Sequence, residues 1–173
     1  MRDLKTLIRD VPNFPKAGIM FRDITPLLTD GEAWRETVDL MADRYRGRID
    51  VVLGVESRGF LIGSALAYAL GCGIAVVRKP RKLPAATFSA RYALEYGTDT
   101  LEIHQDAFPA GSRVLVIDDL LATGGTAEAT ISLARQLRGS VVEAAFMIEL
   151  TFLNGRKRLA PSAVFSLVQY DSE

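Results

Sequence analysis

The stretch of this chain best suited to chemistry is Val114-Leu115-Val116-Ile117-Asp118-Asp119-Leu120-Leu121-Ala122-Thr123-Gly124-Gly125-Thr126. A β-branched apolar run ends in two carboxylates, and small residues then lead into an amphipathic segment. Ala122, Thr123, Gly124, Gly125 and Thr126 can wrap backbone N–H groups and two hydroxyls around a phosphate. The glycines permit close approach, and a helix N-terminus favours negative charge. Asp118 and Asp119 repel phosphate but, as pure acceptors, suit the hydroxyls of a ribose. Carboxylate, carboxylate, phosphate cradle is the polarity of a ribose 5-phosphate. The competing readings are a divalent-metal site and a plain acidic turn. Neighbouring strand residues point to opposite faces, which makes joint chelation by the pair less natural. The stretch lacks both the Lys-Ser/Thr ending of a nucleotide P-loop and the G-x-G-x-x-G of a dinucleotide site.

The elements that must position these residues follow from apolar periodicity. Asp50 to Glu56 and Arg113 to Asp119 read as strands buried on both faces, with further strands at Ile74–Arg78 and Val141–Leu150. Helices are expected over Gly31–Tyr45, Gly59–Leu70 and Gly125–Leu137, the first opened by a Thr29/Glu32 capping box and the second stopped by Gly71. Trp34, Val38, Met41 and Tyr45 form the inward stripe of the first. Strand alternating with helix predicts an α/β fold, a central mainly parallel sheet flanked by helices. Two regions break the pattern. Lys79 to Ala90 reads as a basic loop, followed by a β-hairpin of residues 92–96 and 100–104 projecting from the sheet edge. The turn-rich segment Val11 to Gly18 reads as part of a small N-terminal hood. The expected organisation is one domain over 1–173, with a hood at about 1–30, a core at about 31–173, and the flexible loop and hairpin at about 79–106.

Composition narrows the function. The chain has 173 residues, with 21 Lys plus Arg against 21 Asp plus Glu. No overall field therefore exists to hold a nucleic acid or an anionic membrane, and any anion site must be local. No apolar run approaches membrane-spanning length. Cys72 and His104 are the sole residues of their types, too few for a structural zinc site. Cys72 reads as a small packed hydrophobe and His104 as a strand surface residue. A lone cysteine without an intrachain disulfide points to a reducing compartment, and the expected location is cytoplasmic.

The motif around Asp118 to Thr126 resembles the phosphoribosyl-pyrophosphate motif of type I phosphoribosyltransferases, and its Leu-Leu-Ala-Thr-Gly-Gly-Thr wording is similar to the adenine enzymes. Phe21-Arg22-Asp23-Ile24-Thr25-Pro26, Glu56-Ser57-Arg58-Gly59-Phe60, Leu94-Glu95-Tyr96-Gly97, Arg78-Lys79 and Lys82-Leu83-Pro84 match the same family in order, so the resemblance spans nearly the whole chain. It implies transfer of the 5-phosphoribosyl group from phosphoribosyl pyrophosphate to adenine, giving AMP and pyrophosphate in purine salvage. It also implies the type I fold with a hairpin lid. Ser57, Arg58, Lys79 and Lys82 are then the pyrophosphate-binding residues, and the peptide geometry of the Glu56–Arg58 loop is expected to be unusual. Met20, Arg22 and Leu150 contact adenine, Arg22 through its main chain. Glu95 on the lid is the candidate proton-transfer residue, catalytic with Arg58, and Tyr96 closes beside it. Mg²⁺ is implied, held mainly by substrate oxygens and water with no direct protein ligand. A homodimer is implied as well. Pro80, between Lys79 and Arg81, departs from the flexible or basic residue expected there. Two rivals remain: the same transfer to hypoxanthine, guanine, xanthine or uracil, and a non-catalytic sensor that binds nucleic acid, for which the chain lacks a basic module.

Overall fold

The computed structural model describes residues 2–93 and 98–172. Its centre is a five-stranded sheet built from β3 (Val51–Val55), β4 (Gly73–Val77), β7 (Arg113–Leu121), β8 (Ser140–Leu150) and β9 (Val164–Tyr170), in the order β4-β3-β7-β8-β9. Every pairing in it is parallel. Such a sheet must be covered on both faces, and the strands alternate accordingly. Val52, Leu115, Ile117, Ala145 and Met147 face one apolar layer, built with α2 (Gly31–Tyr45) and α3 (Gly59–Leu70). Val51, Leu53, Val114, Val116, Ala144 and Phe146 face the other, built with α4 (Gly125–Gln136). Each buried Val, Leu, Ile, Met or Phe among them contributes about 1.5–3 kcal/mol of transfer free energy.

The helices begin and end for local reasons. Asp30, not Thr29, caps α2: its carboxylate accepts from the N–H groups of Glu32 and Ala33. Thr29 is instead the last residue of α1 (Thr25–Thr29), with its hydroxyl donating back to Thr25 and Pro26 carbonyls, so the expected capping box does not form. The α2 stripe packs as its spacing predicts, with Met41 and Tyr45 fully buried, Val38 buried and Trp34 half-buried. Gly71 ends α3 in the left-handed region, φ 68°, which costs glycine nothing.

Two antiparallel pairs lie outside the main sheet. β1 (Arg9–Pro12) pairs with β2 (Met20–Asp23) in the N-terminal hood, and Leu4, Ile8, Ile24 and Leu27 anchor it in the α2–α3 layer. β5 (Thr87–Ala93) pairs with β6 (Thr98–His104), so the first hairpin strand starts within the stretch expected to be basic loop. An Arg78–Glu102 bridge joins this hairpin to the sheet edge. Tyr92, Leu101 and Ile103 are buried in the α4-side layer, so the hairpin lies against α4 rather than standing clear of it. β9 and the β1–β2 pair were not foreseen as strands. Cys72 is half-buried against the core, and His104 is half-exposed at a strand end, its Nε2 accepting from the Ala85 N–H at 3.3 Å. Among the described residues no helix is long and apolar enough to cross a membrane.

At the edge of the sheet where β8 starts, Glu143 is buried and accepts from Arg44 Nε at 2.8 Å, Arg44 Nη2 at 2.9 Å and the Tyr45 hydroxyl at 2.7 Å. Burial alone would raise the Glu143 pKa, but these donors hold it below its ordinary value. A lowered carboxylate pKa contributes stability that is present above the unfolded value of 4.5 and fades as pH falls through the folded one. Tyr45→Phe should cost about 1–2 kcal/mol in urea denaturation at pH 7, and the penalty should shrink in acid as Glu143 protonates.

Candidate functional site

The order β4-β3-β7-β8-β9 reverses direction between β3 and β7. After β3, α3 carries the chain outward to β4; after β7, α4 carries it the other way to β8. The loops that follow β3 and β7 therefore part, leaving a crevice at the carboxyl edge of the sheet where open α/β folds take ligands. Ser57 and Arg58 stand on the first of those loops, Asp118 and Asp119 end the strand that feeds the second, and Lys79 comes from the loop after β4.

The loop after β7 is shaped as its sequence predicts. Gly124 adopts φ 86° as the residue before α4, a conformation that L side chains rarely take. A Cβ on it would also lie 2.8 Å from the Gly155 carbonyl oxygen. The first N–H groups of α4 have no acceptor within their own helix and open onto the crevice with the positive end of the helix dipole. Ala122, Thr123, Gly124, Gly125 and Thr126 all line a cleft of about 310 Å³, together with Ser57, Arg58, Lys79, Asp118 and Asp119.

The two carboxylates lie deep in this cleft. The Asp119 N–H donates to Asp118 Oδ1 at 2.9 Å, and Arg58 Nε lies 3.0 Å from Asp119 Oδ2. Burial, reinforced by the Asp119 charge, pushes Asp118 well above the usual carboxylate range. Burial also raises Asp119, against the opposing pull of Arg58. Gly59 makes this closeness possible, because a Cβ there would stand 2.8 Å from Asp118 Oδ1.

The loop after β3 carries the cationic wall. The Glu56–Ser57 peptide is cis, an unusual geometry where one was expected. Glu56 accepts from the Lys79 N–H at 2.9 Å and from Arg78, which ties this loop to the one after β4. Lys79 Nζ lies 3.1 Å from Asp99 Oδ2, and that bond raises its pKa, so it enters the cleft as a full cation. Lys82 is exposed and does not line the cleft; its carbonyl accepts from Arg78 Nη1 at 3.2 Å. Glu95 and Tyr96 lie outside the described residues.

Beside this polar chamber lies an apolar one of about 330 Å³, walled by Met20, Phe21, Leu150, Phe152 and Leu153, with Arg22 also in its lining. The two share Arg58, Leu120, Ala122 and Thr123. Arg58 spans the boundary, its guanidinium carbon 4.8 Å from the centre of the Phe21 ring while its Nε meets Asp119. The Arg22 side chain is committed elsewhere: it ion-pairs with Asp10 and stacks 3.9 Å from the Tyr170 ring.

Sequence reading missed several lining residues. Tyr92 lines the polar chamber, with its hydroxyl 3.3 Å from Asp99 Oδ2. Phe152 and Leu153 lie in a short 3-10 turn, where apolar periodicity has no purchase. Gly155 backs the loop Ala122 to Gly124, and the Asn154-Gly155 pair was the turn signal that could have drawn notice.

The phosphoribosyl transferase domain family matches residues 31–170. The chain is 58% identical over 171 residues to a curated adenine phosphoribosyltransferase of Trichlorobacter lovleyi, covering 98% of this chain and 100% of that one. Its structure resembles adenine phosphoribosyltransferase from Thermoanaerobacter pseudethanolicus with a TM-score of 0.95 at 50% identity, covering 97% and 98% of the two chains. It also resembles the Saccharomyces cerevisiae enzyme complexed with adenine and an imino-altritol bisphosphate, with a TM-score of 0.92 at 42% identity over 95% and 96%.

The raised Asp118 pKa has a testable consequence. A carboxylate whose folded pKa exceeds its unfolded 3.8 destabilises the fold once pH rises above that value. Asp118→Asn, which keeps an acceptor for the Asp119 N–H, should raise the melting temperature of the unliganded protein at pH 7. The gain should close as pH falls toward 3.8, while calorimetry finds ribose 5-phosphate bound at least tenfold more weakly.

Proposed function

The chain belongs to the phosphoribosyltransferase family, and we propose that it transfers the 5-phosphoribosyl group of phosphoribosyl pyrophosphate to adenine, giving AMP and pyrophosphate in purine salvage. Whole-length likeness to adenine phosphoribosyltransferases supports the reaction. One observation in this chain carries it: a chamber lined by the loop before α4 and floored by two carboxylates shares a wall of Arg58, Leu120, Ala122 and Thr123 with an apolar chamber of about 330 Å³. A sugar phosphate in the first places its anomeric carbon toward a flat base in the second.

In this reading the loop Ala122 to Thr126 grips the 5-phosphate, and Asp118 and Asp119 accept the ribose hydroxyls. Ser57, Arg58 and Lys79 receive the pyrophosphate, with Lys82 contributing charge from outside the cleft. Met20 and Leu150 clasp the adenine ring while the Arg22 main chain meets its edge. The bond from the anomeric carbon to pyrophosphate breaks, the leaving group takes the electron pair, and a ring nitrogen of adenine bonds to that carbon. Charge builds on the leaving oxygen, where fixed cations are worth most. The proton shed by the base passes to Glu95, with Tyr96 beside it; both assignments rest on the family resemblance.

Mg²⁺ belongs to the same reading. Arg58 already stands as a counter-charge 3.0 Å from Asp119 Oδ2, and this reading puts the ion mainly on substrate oxygens and water, as a strongly hydrated cation prefers. When bound it neutralises the pyrophosphate. A two-fold dimer is part of the proposal, supported by the exposed Leu61 and Tyr68 of α3 beside Ile74 on the edge strand β4. Action in the cytoplasm is supported by the free thiol Cys72.

With phosphoribosyl pyrophosphate and Mg²⁺ supplied, adenine should be converted to AMP at least a hundredfold more efficiently than hypoxanthine, guanine, xanthine or uracil; a better rate on a six-oxo base would overturn the adenine assignment. Glu95→Gln should lower kcat by about 10²-fold or more, the usual scale of general acid–base help, with phosphoribosyl-pyrophosphate affinity unchanged. Single-turnover kinetics beside a calorimetric titration would check both halves.

A further inference from the structure

Two ion pairs of the same chemistry hold the opposite ends of β8. Near its start, Glu143 is 5% exposed and takes both arms of Arg44. Near its end, Glu149 is 2% exposed and takes both arms of Arg156, through Nε at 2.9 Å and through Nη2. Arg156 also donates from Nη1 to the Val164 carbonyl at 2.7 Å, and the Ser166 hydroxyl donates to Glu149 Oε2 at 2.6 Å. The first pair fastens α2 to the sheet at the edge away from the cleft. The second closes residues 149–156 into a loop at the ligand-binding edge.

That loop faces both chambers. Leu150, Phe152 and Leu153 wall the apolar one. Gly155 lies against the phosphate loop so closely that a Cβ on it would stand 2.1 Å from the Ala122 carbonyl oxygen. With backbone on backbone, no flexible side chain is present to absorb a shift, so displacement of Gly155 moves the Ala122–Gly124 turn. Just beyond, Arg158 Nε reaches Glu128 Oε2 in the first turn of α4 at 2.6 Å. Arg156 itself lines neither chamber.

We propose that Arg156 is a positioning residue: its pairing with Glu149 sets the base-chamber wall and the backing of the 5-phosphate loop together, so that one contact ties base binding to phosphoribosyl binding. The inference rests on the transferase reading above. A bidentate guanidinium suits the task, because two parallel bonds fix orientation as well as distance.

The two ends of β8 supply the control. Arg156→Ala and Arg44→Ala each strip a buried glutamate on the same strand of its arginine, so both should lower the melting temperature. Arg156→Ala should in addition raise KM for adenine and for phosphoribosyl pyrophosphate fivefold or more, with a smaller fall in kcat, and weaken AMP binding in calorimetry. Arg44→Ala should keep both KM values within twofold of the unsubstituted protein. Arg156→Lys, which keeps the charge and loses the fork, should fall between, and it carries the comparison if the alanine variant does not fold. KM values in the Arg156 variants no higher than in Arg44→Ala, or a rise confined to one substrate, would overturn the proposal. Failure of the unsubstituted protein and Arg44→Ala alike to act on adenine would instead overturn the transferase reading.

Discussion

Two neighbouring carboxylates, buried at the end of a strand that is itself buried on both faces, set the terms for everything around them. Asp118 and Asp119 are taken out of water by the sheet and by Gly59, and both are pushed toward their neutral forms. An unliganded protein bears that as a stability cost. Removing charge from this spot would relieve it, and would also remove the acceptors assigned to the ribose in the proposed function. Strain of this kind at a binding edge is the ordinary signature of a site kept for its chemistry rather than for the fold.

Compensation comes from three directions. Arg58 offers a partial counter-charge to Asp119 from the loop after β3, while its guanidinium also covers Phe21 of the hood. The Asp119 N–H satisfies Asp118 Oδ1 locally. The amides at the start of α4 and the Lys79 ammonium supply positive potential across the same cleft. Arg58 thereby connects the carboxylate floor, the cationic wall and the roof over the apolar chamber. The chamber cannot be assembled from any one supersecondary unit: β3–α3 gives the wall, β7–α4 the floor and cradle, β1–β2 the roof, and residues 150–155 the far side.

The legible parts were those with periodicity or turn chemistry. The buried runs 51–55 and 113–121, the start of α2 at Gly31 and the whole of α3 follow from apolar spacing and glycine punctuation, and the structure places them at or within a residue or two of expectation. Thr29 misled because Asp30, one residue on, is a stronger acceptor for the first free N–H groups of α2. β9 escaped because Val164–Tyr170 is mostly half-buried, with no clean alternation, and owes its strand character to pairing with β8. The start of β5 was misread as loop since Thr87 to Ala90 acquires its strand character from pairing with β6. In the site, Asp118 to Thr126 could be read directly, as contiguous residues on one strand–loop–helix. Lys79 and Lys82 could not be told apart, because the ammonium of Lys79 is held by Asp99 of the distant hairpin, a contact no local pattern announces.

The amino-acid sequence by itself determined the α/β class, the acidic pair followed by a glycine-bearing loop that opens a helix, and membership in a family whose motifs run nearly from end to end. All of these are local or linear properties: spacing, residue type and order. Only the tertiary structure decided the sheet order that opens a crevice between β3 and β7, the direction of the Arg22 side chain toward Tyr170, and the meeting of Gly155 with Ala122. Those depend on which distant segments share a surface, and contact between remote residues is settled by packing the whole core at once.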